Sequence, residues 1–109
     1  MYKEVKNMSI LHVTKDNFEA EVINSEKPVL LDFFATWCGP CRMLAPVLDQ
    51  IDKEASDIKV VKVDVDEEPE LAAKYEVMSV PTLFAFKGGK IINQTMGVVP
   101  KKVLLDLFN

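Results

Sequence analysis

The sequence has 109 residues, of which 49% are hydrophobic and 28% charged, a composition typical of one globular domain. Thirteen basic and 17 acidic residues give a net charge of −4, which argues against a nucleic-acid-binding surface. The longest unbroken apolar run, residues 83–86, is far shorter than the roughly 20 residues of a membrane span, so no membrane association is predicted.

The chain begins with a polar stretch and a short strand. Residues 1–8 alternate charged with isolated apolar side chains and lack the apolar core of a secretion signal, which favours a cytoplasmic protein. Residues 10–13 form a candidate strand. Thr14 is a candidate N-cap for a following helix that carries Phe18 and Val22 on one face.

The next two elements are a buried strand and a long helix. Residues 29–34 are apolar except for Asp32, as expected of a strand that is buried on both faces. After Cys38, apolar residues recur at helical spacing, so this segment is predicted to be an amphipathic helix. Pro46 lies inside the pattern and should kink the helix rather than end it.

The second half of the chain predicts a strand, a helix, a hairpin and a closing helix. Residues 58–65 are rich in valine, and Pro69 among acidic residues marks a helix start. Residues 82–86 and 91–95 flank a Gly-Gly pair, the pattern of a β-hairpin. A short amphipathic helix then follows near residue 104.

The predicted order is β-α-β-α-β-α-β-β-α. Strands separated by helices imply a parallel arrangement, and the late hairpin adds antiparallel strands. The sequence therefore predicts an α/β fold in a single domain spanning residues 1–109, with a central mixed sheet and helices on both faces.

Two cysteines stand between the buried strand and the long helix. Cβ atoms three positions apart on a helical turn are about 5–6 Å apart, whereas a disulfide needs roughly 3.5–4.5 Å, so the pair can close with local adjustment. A four-residue loop gains only about 2 kcal/mol from such a cross-link. The spacing therefore favours a redox switch over a structural brace at Cys38 and Cys41.

The start of the helix also predicts which cysteine attacks. Unpaired first-turn amides and the helix dipole stabilise a thiolate at Cys38 and lower its pKa, and Arg42 reinforces this effect. Cys41 is predicted to lie deeper, on the face that meets the sheet. It would act as the resolving thiol.

Asp32 is the third candidate catalytic residue. Burial disfavours the charged carboxylate, so we expect a raised pKa and proton exchange with a nearby thiol near neutral pH. Asp32 lies six residues before Cys38, at the strand end that leads into the helix, so its side chain is predicted to sit beneath the cysteines. The alternative is a structural acid satisfied by hydrogen bonds.

A metal centre is the other interpretation of a cysteine pair. Tetrahedral zinc needs four ligands, and the sequence has no second cysteine pair and a single histidine, His12. No metal site is therefore predicted.

Residues 34–42, Phe-Ala-Thr-Trp-Cys-Gly-Pro-Cys-Arg, resemble the active-site signature of the thioredoxin family, and the similarity extends over about residues 9–108. The predicted element order agrees with the thioredoxin fold. Residues 79–82, Ser-Val-Pro-Thr, resemble the family's loop in which a cis-proline, here Pro81, faces the cysteines. One departure is Phe34, where the family often has tryptophan.

The resemblance also implies roles for separate residues. Asp32 matches the family's buried acid, and Lys62 matches the lysine paired with that acid. Gly97 matches the glycine that closes the substrate groove. The groove itself would be lined by Trp37, Gly39, Pro40, Val80, Pro81 and Gly97.

The function implied by the resemblance is protein-disulfide reduction by dithiol–disulfide exchange, which maintains cell redox homeostasis. Gly39 and Pro40 between the cysteines favour a reducing protein. A disulfide oxidase or isomerase is one alternative, and a redox-independent binding module is another.

The resemblance also implies partners. The chain has no dinucleotide-binding motif of its own, and the resemblance implies that its electrons come from NADPH through a separate thioredoxin reductase, a flavoprotein. The other partners would be disulfide-containing substrate proteins, with no nucleic acid and no membrane. We expect a monomer with no bound cofactor besides the reversible Cys38–Cys41 disulfide.

Overall fold

The sheet of the computed structural model is mixed, as the sequence predicts. The structure describes residues 10–109, so the predicted polar leader at residues 1–8 lies outside the described residues. The strands of the sheet are β1 Leu11–His12, β2 Val29–Phe34, β3 Lys59–Asp64, β4 Thr82–Lys87 and β5 Lys90–Met96. Their spatial order is β1-β3-β2-β4-β5. The first three pair in parallel, whereas β4 and β5 pair antiparallel.

Helical segments connect these strands in the predicted order. They are a five-residue π-helix at Glu19–Ile23, α1 at Gly39–Glu54, α2 at Pro69–Lys74 and α3 at Lys101–Asp106. The helix α1 continues past Pro46, as expected. The predicted α/β class and element order are confirmed.

The first helical segment differs from the prediction because Thr14 does not cap it. The helix begins at Glu19, and Thr14 instead belongs to a turn that precedes it. The Thr14 N–H donates to Asn17 Oδ1 at 2.8 Å, and the Asn17 N–H donates to the Thr14 carbonyl at 3.2 Å. The short polar side chain of Asn17 competes for backbone hydrogen bonds that a helix would otherwise make, and this delays the helix start.

The central strand β2 separates two hydrophobic cores. Leu31 and Phe33 pack with buried residues of the π-helix and α2 on one face. Leu30 packs with buried residues of α1 and α3 on the other face. Since successive side chains of a strand point to opposite faces, Asp32 is in phase with Leu30. Its side chain therefore belongs to the face covered by α1, the helix that begins beside the cysteines.

Candidate active site

Cys38 and Cys41 form a disulfide at the N-terminus of α1, with their Cα atoms 5.3 Å apart. Cys38 is the N-cap residue and has extended backbone angles, and the helix begins at the next residue. Pro40 follows in the first turn, where the missing N–H costs no helical hydrogen bond. The local sequence thus places the cysteine pair across the helix start.

The sulfur of Cys38 accepts a hydrogen bond from the helix. The Cys41 N–H donates to Cys38 Sγ at 3.1 Å. The same sulfur lies 3.6 Å from the carbonyl oxygen of Val80. An amide donor and the positive end of the helix dipole stabilise negative charge on this sulfur once the disulfide is reduced.

The prediction that Cys41 lies deeper than Cys38 is wrong. Cys38 is 4% exposed and Cys41 is 6% exposed, so both are buried. The reason is that the Cys38 side chain folds back over the first turn and lies against the loop at Val80. Burial therefore does not distinguish the two thiols, whereas the hydrogen bond to Cys38 does.

Asp32 is buried in the middle of the sheet, and its Oδ1 has no hydrogen-bond partner within the described part of the chain. Burial raises the pKa of Asp32 from its usual value of 3.8 to about 7, against the opposing positive charge of Lys62. The raised pKa predicted from the sequence is thus confirmed. The role of Asp32 in proton transfer stays a prediction.

Lys62 is the register neighbour of Asp32 on β3. Its Nζ lies 5.3 Å from the centre of the Phe34 ring. None of the ion pairs within 4 Å that involve residues 10–109 joins Lys62 to Asp32. Lys62 and Cys41 line one small cavity of about 120 Å³, together with Phe34 and its neighbours. The lysine is therefore a strand neighbour of the buried acid and shares a cavity with the second cysteine.

The loop before β4 brings its backbone to the cysteines. The peptide bond between Val80 and Pro81 is cis, as the resemblance implies. The Gly97 N–H donates to the Pro81 carbonyl at 2.9 Å, which joins this loop to the end of β5. Gly97 has φ +83°, a left-handed conformation that glycine adopts without steric cost.

We expect Gly97→Ala to lower the free energy of unfolding by about 1–2 kcal/mol, because an L-residue is strained in the left-handed region. A Cβ at this position would meet no atom within 4 Å, so the cost is conformational rather than steric. Urea denaturation of both proteins measures the difference. Gly39→Ala is the matched control, since its Cβ is equally unobstructed and its φ is not positive. An equal loss in both variants would contradict the conformational explanation.

Trp37 is largely exposed beside the cysteines and is oriented by one hydrogen bond. Its Nε1 donates to Asp66 Oδ2 at 2.8 Å. Asp66 could not be predicted as this partner from the sequence, because a separation of 29 positions leaves no local pattern to show the contact. The bond holds the indole in place next to Cys38.

A surface cavity of about 190 Å³ adjoins the site. Trp37 and Val80, two of the predicted groove residues, line it, whereas Gly39, Pro40, Pro81 and Gly97 do not. The cavity is also lined by four residues that were not among the predicted groove residues, namely Val65, Val77, Met78 and Ser79. Ser79 is part of the recognised loop motif, but only the tertiary structure brings Val65 to this place.

Within residues 10–109, no three histidine, cysteine, aspartate or glutamate side chains are grouped so that they could hold a metal ion. In the same part of the chain, no helix has the length and apolar character needed to cross a membrane.

A comparison with protein families matches residues 9–109 to the family described as Thioredoxin. The chain belongs to the thioredoxin family. It is 50% identical over 103 residues to "Thioredoxin" of Bacillus subtilis (strain 168), covering 94% of this chain and 97% of that protein. It is also 50% identical over 103 residues to "Thioredoxin" of Pyropia yezoensis, covering 94% and 96%. The protein of the same name from Streptomyces clavuligerus is 51% identical over 94 residues, covering 86% and 88%.

Thioredoxins are protein-disulfide oxidoreductases, and this member carries its cysteine pair as a disulfide at the helix start. The predictions of family, fold and dithiol–disulfide exchange are confirmed. Family membership implies two general kinds of partner, proteins that contain disulfides and a reductase.

Proposed function

We propose that the chain reduces protein disulfides with Cys38 as the attacking thiol and Cys41 as the resolving thiol. The observation that carries this assignment is the hydrogen bond of 3.1 Å from the Cys41 N–H to Cys38 Sγ at the helix N-terminus. The donor stabilises a thiolate at Cys38, and the thiolate is the nucleophilic form of cysteine. No comparable donor reaches Cys41 Sγ among the hydrogen bonds of residues 10–109.

The reaction transfers two electrons to the substrate in two exchanges. The Cys38 thiolate attacks one sulfur of a substrate disulfide, forms a mixed disulfide and releases the other substrate sulfur as a thiolate. The Cys41 thiolate then attacks Cys38 Sγ. This second exchange forms the Cys38–Cys41 disulfide and releases the substrate as a dithiol.

The second exchange requires that Cys41 lose a proton, and we assign the acceptor role to Asp32. A carboxyl whose pKa lies at about 7 can both accept and release protons near neutral pH. Lys62 is its register neighbour and lines a cavity with Cys41, so its positive charge favours the carboxylate that accepts the proton.

The cavity at Trp37 and Val80 supports a docking role for this surface. The Val80 backbone lies in the loop before β4 and next to Cys38, where an extended substrate segment would pair with it. Gly39, Pro40, Pro81 and Gly97 remain the proposed outer contacts of the same groove.

The remaining assignments concern the cellular setting. We propose that residues 1–109 act as one domain and as a monomer in the cytoplasm, where thiols are kept reduced. The chain has no dinucleotide-binding motif of its own, and from its membership of the thioredoxin family we propose that its electrons come from NADPH through a thioredoxin reductase.

The experiment that tests the proposal is a redox titration with reduced and oxidised dithiothreitol, followed by fluorescence. Trp37 is the only tryptophan of the sequence and adjoins Cys38, so its emission should report the state of the disulfide. We expect a reversible two-electron transition at a strongly reducing potential. The Cys41→Ser variant is the control and should show no such transition.

The alternative functions predict different titrations. A transition at a much more oxidising potential would favour a disulfide oxidase or isomerase. The absence of a transition, with both thiols confirmed chemically, would favour the redox-independent binding module.

A further inference from the structure

We propose that Met78 is a modification site, at which peroxide oxidation of the thioether to a sulfoxide weakens docking of protein disulfides and leaves the cysteine chemistry intact. The inference rests on the proposed docking role of the cavity at Trp37 and Val80.

The exposure of Met78 makes its sulfur accessible to a dissolved oxidant. Met78 is 92% exposed, compared with 68% for Met43 and 58% for Met96. The hydroxyl of Ser79 lies 3.6 Å from Met96 Sδ, and a hydrogen bond to that sulfur withdraws electron density from it. Thioether oxidation requires access and an available lone pair. Met78 should therefore be oxidised faster than Met96.

The position of Met78 connects its chemical state to substrate docking. Met78 lines the same cavity as Trp37 and Val80. The Val80 carbonyl oxygen lies 3.6 Å from Cys38 Sγ, so a substrate segment that reaches this sulfur passes alongside the cavity. The flexible, polarizable thioether can adapt its contacts to substrates of different shape.

The modification changes the polarity of this contact. The Met78 sulfur attacks one oxygen of hydrogen peroxide and the O–O bond breaks. The sulfur gains that oxygen and loses two electrons, and after proton transfer the other peroxide oxygen leaves as water. The sulfoxide is polar and chiral, so it disrupts an apolar interface, and methionine sulfoxide reductases reverse it. The disulfide between Cys38 and Cys41 has no free thiol that competes for the peroxide.

The test treats the disulfide form of the full chain with dilute hydrogen peroxide and locates sulfoxides by mass spectrometry of peptides. The KM and kcat for reduction of insulin, and the rate with oxidised glutathione, are then measured before and after treatment. We expect the KM for insulin to rise roughly three- to tenfold, because the sulfoxide loses part of one apolar contact with the substrate. The kcat and the rate with glutathione disulfide should not change.

Two matched variants locate the effect. In Met78→Leu, the ratio of KM after treatment to KM before should be close to one. In Met43→Leu, which removes an exposed methionine outside the cavity, the ratio should equal that of the parent chain. An unchanged KM with Met78 fully oxidised would overturn the inference, as would the same rise in Met78→Leu.

The two proposals fail in different ways. If the untreated chain does not reduce insulin, both the proposed function and the Met78 inference are wrong. If it reduces insulin and the sulfoxide has no effect on KM, only the Met78 inference is wrong.

Discussion

Cys38→Ser is expected to lower the rate of disulfide reduction by at least about a thousandfold, because serine cannot form the mixed disulfide that starts the exchange. The fold should persist, since a small cross-link of this kind contributes little stability. Insulin reduction with dithiothreitol as electron donor measures the loss, and circular dichroism confirms the fold.

Cys41→Ser is the matched variant and should fail at the second exchange, in which Cys41 attacks the mixed disulfide. Cys38 can still attack the substrate, but no thiol at position 41 displaces it, so a covalent complex with the substrate accumulates. Non-reducing electrophoresis and mass spectrometry detect this complex. If Cys38→Ser trapped substrate instead, the two cysteines would have the opposite roles, and the hydrogen bond from the Cys41 N–H would not decide reactivity.

The second prediction with a large effect concerns Asp32: we expect the free energy of unfolding to fall as pH rises from about 4 to 7. The pKa of Asp32 is about 7 in the folded chain, compared with a usual value of 3.8. Between these values the folded chain binds more protons than the unfolded chain, so rising pH favours unfolding. The difference between the two pKa values corresponds to a loss of about 4 kcal/mol in the free energy of unfolding, which is complete above pH 7.

Asp32→Asn should remove this pH dependence, because asparagine stays neutral at every pH. We therefore expect the variant to be more stable than the parent chain at pH 8 by about 2–4 kcal/mol, and close to it at pH 4. Urea denaturation at both pH values measures the difference. Glu54→Gln is a control at an exposed acid and should leave the slope between pH 4 and 7 nearly unchanged. A parent chain equally stable at pH 4 and 8 would contradict the assignment.

The same variant tests the proton-transfer role. Asp32→Asn should slow disulfide exchange at neutral pH, because it cannot take the proton from Cys41. A rate profile that matches the parent chain from pH 6 to 9 would exclude Asp32 from the mechanism and leave it with an effect on stability alone.

The local parts of the site could be predicted from the sequence. The two cysteines, the proline between them and the helical spacing after them lie within one short segment, so their geometry follows from helix-terminus chemistry. Asp32 could also be predicted, because apolar neighbours on both sides show that its strand is buried. The start of the first helix at Glu19, rather than just after Thr14, was not predicted, since it depends on the hydrogen bond from the Thr14 N–H to the Asn17 side chain.

The sequence by itself determined the order of strands and helices, the cysteine pair at the helix start and the buried acid, because each depends on residues close together in the chain. Only the tertiary structure decided the equal burial of the two cysteines, the bond from Trp37 to Asp66 and the cavity that includes Met78. These contacts join residues that are tens of positions apart. They arise because β3 and β4 pair on either side of β2, which places the end of β3 and the loop before β4 next to the start of α1.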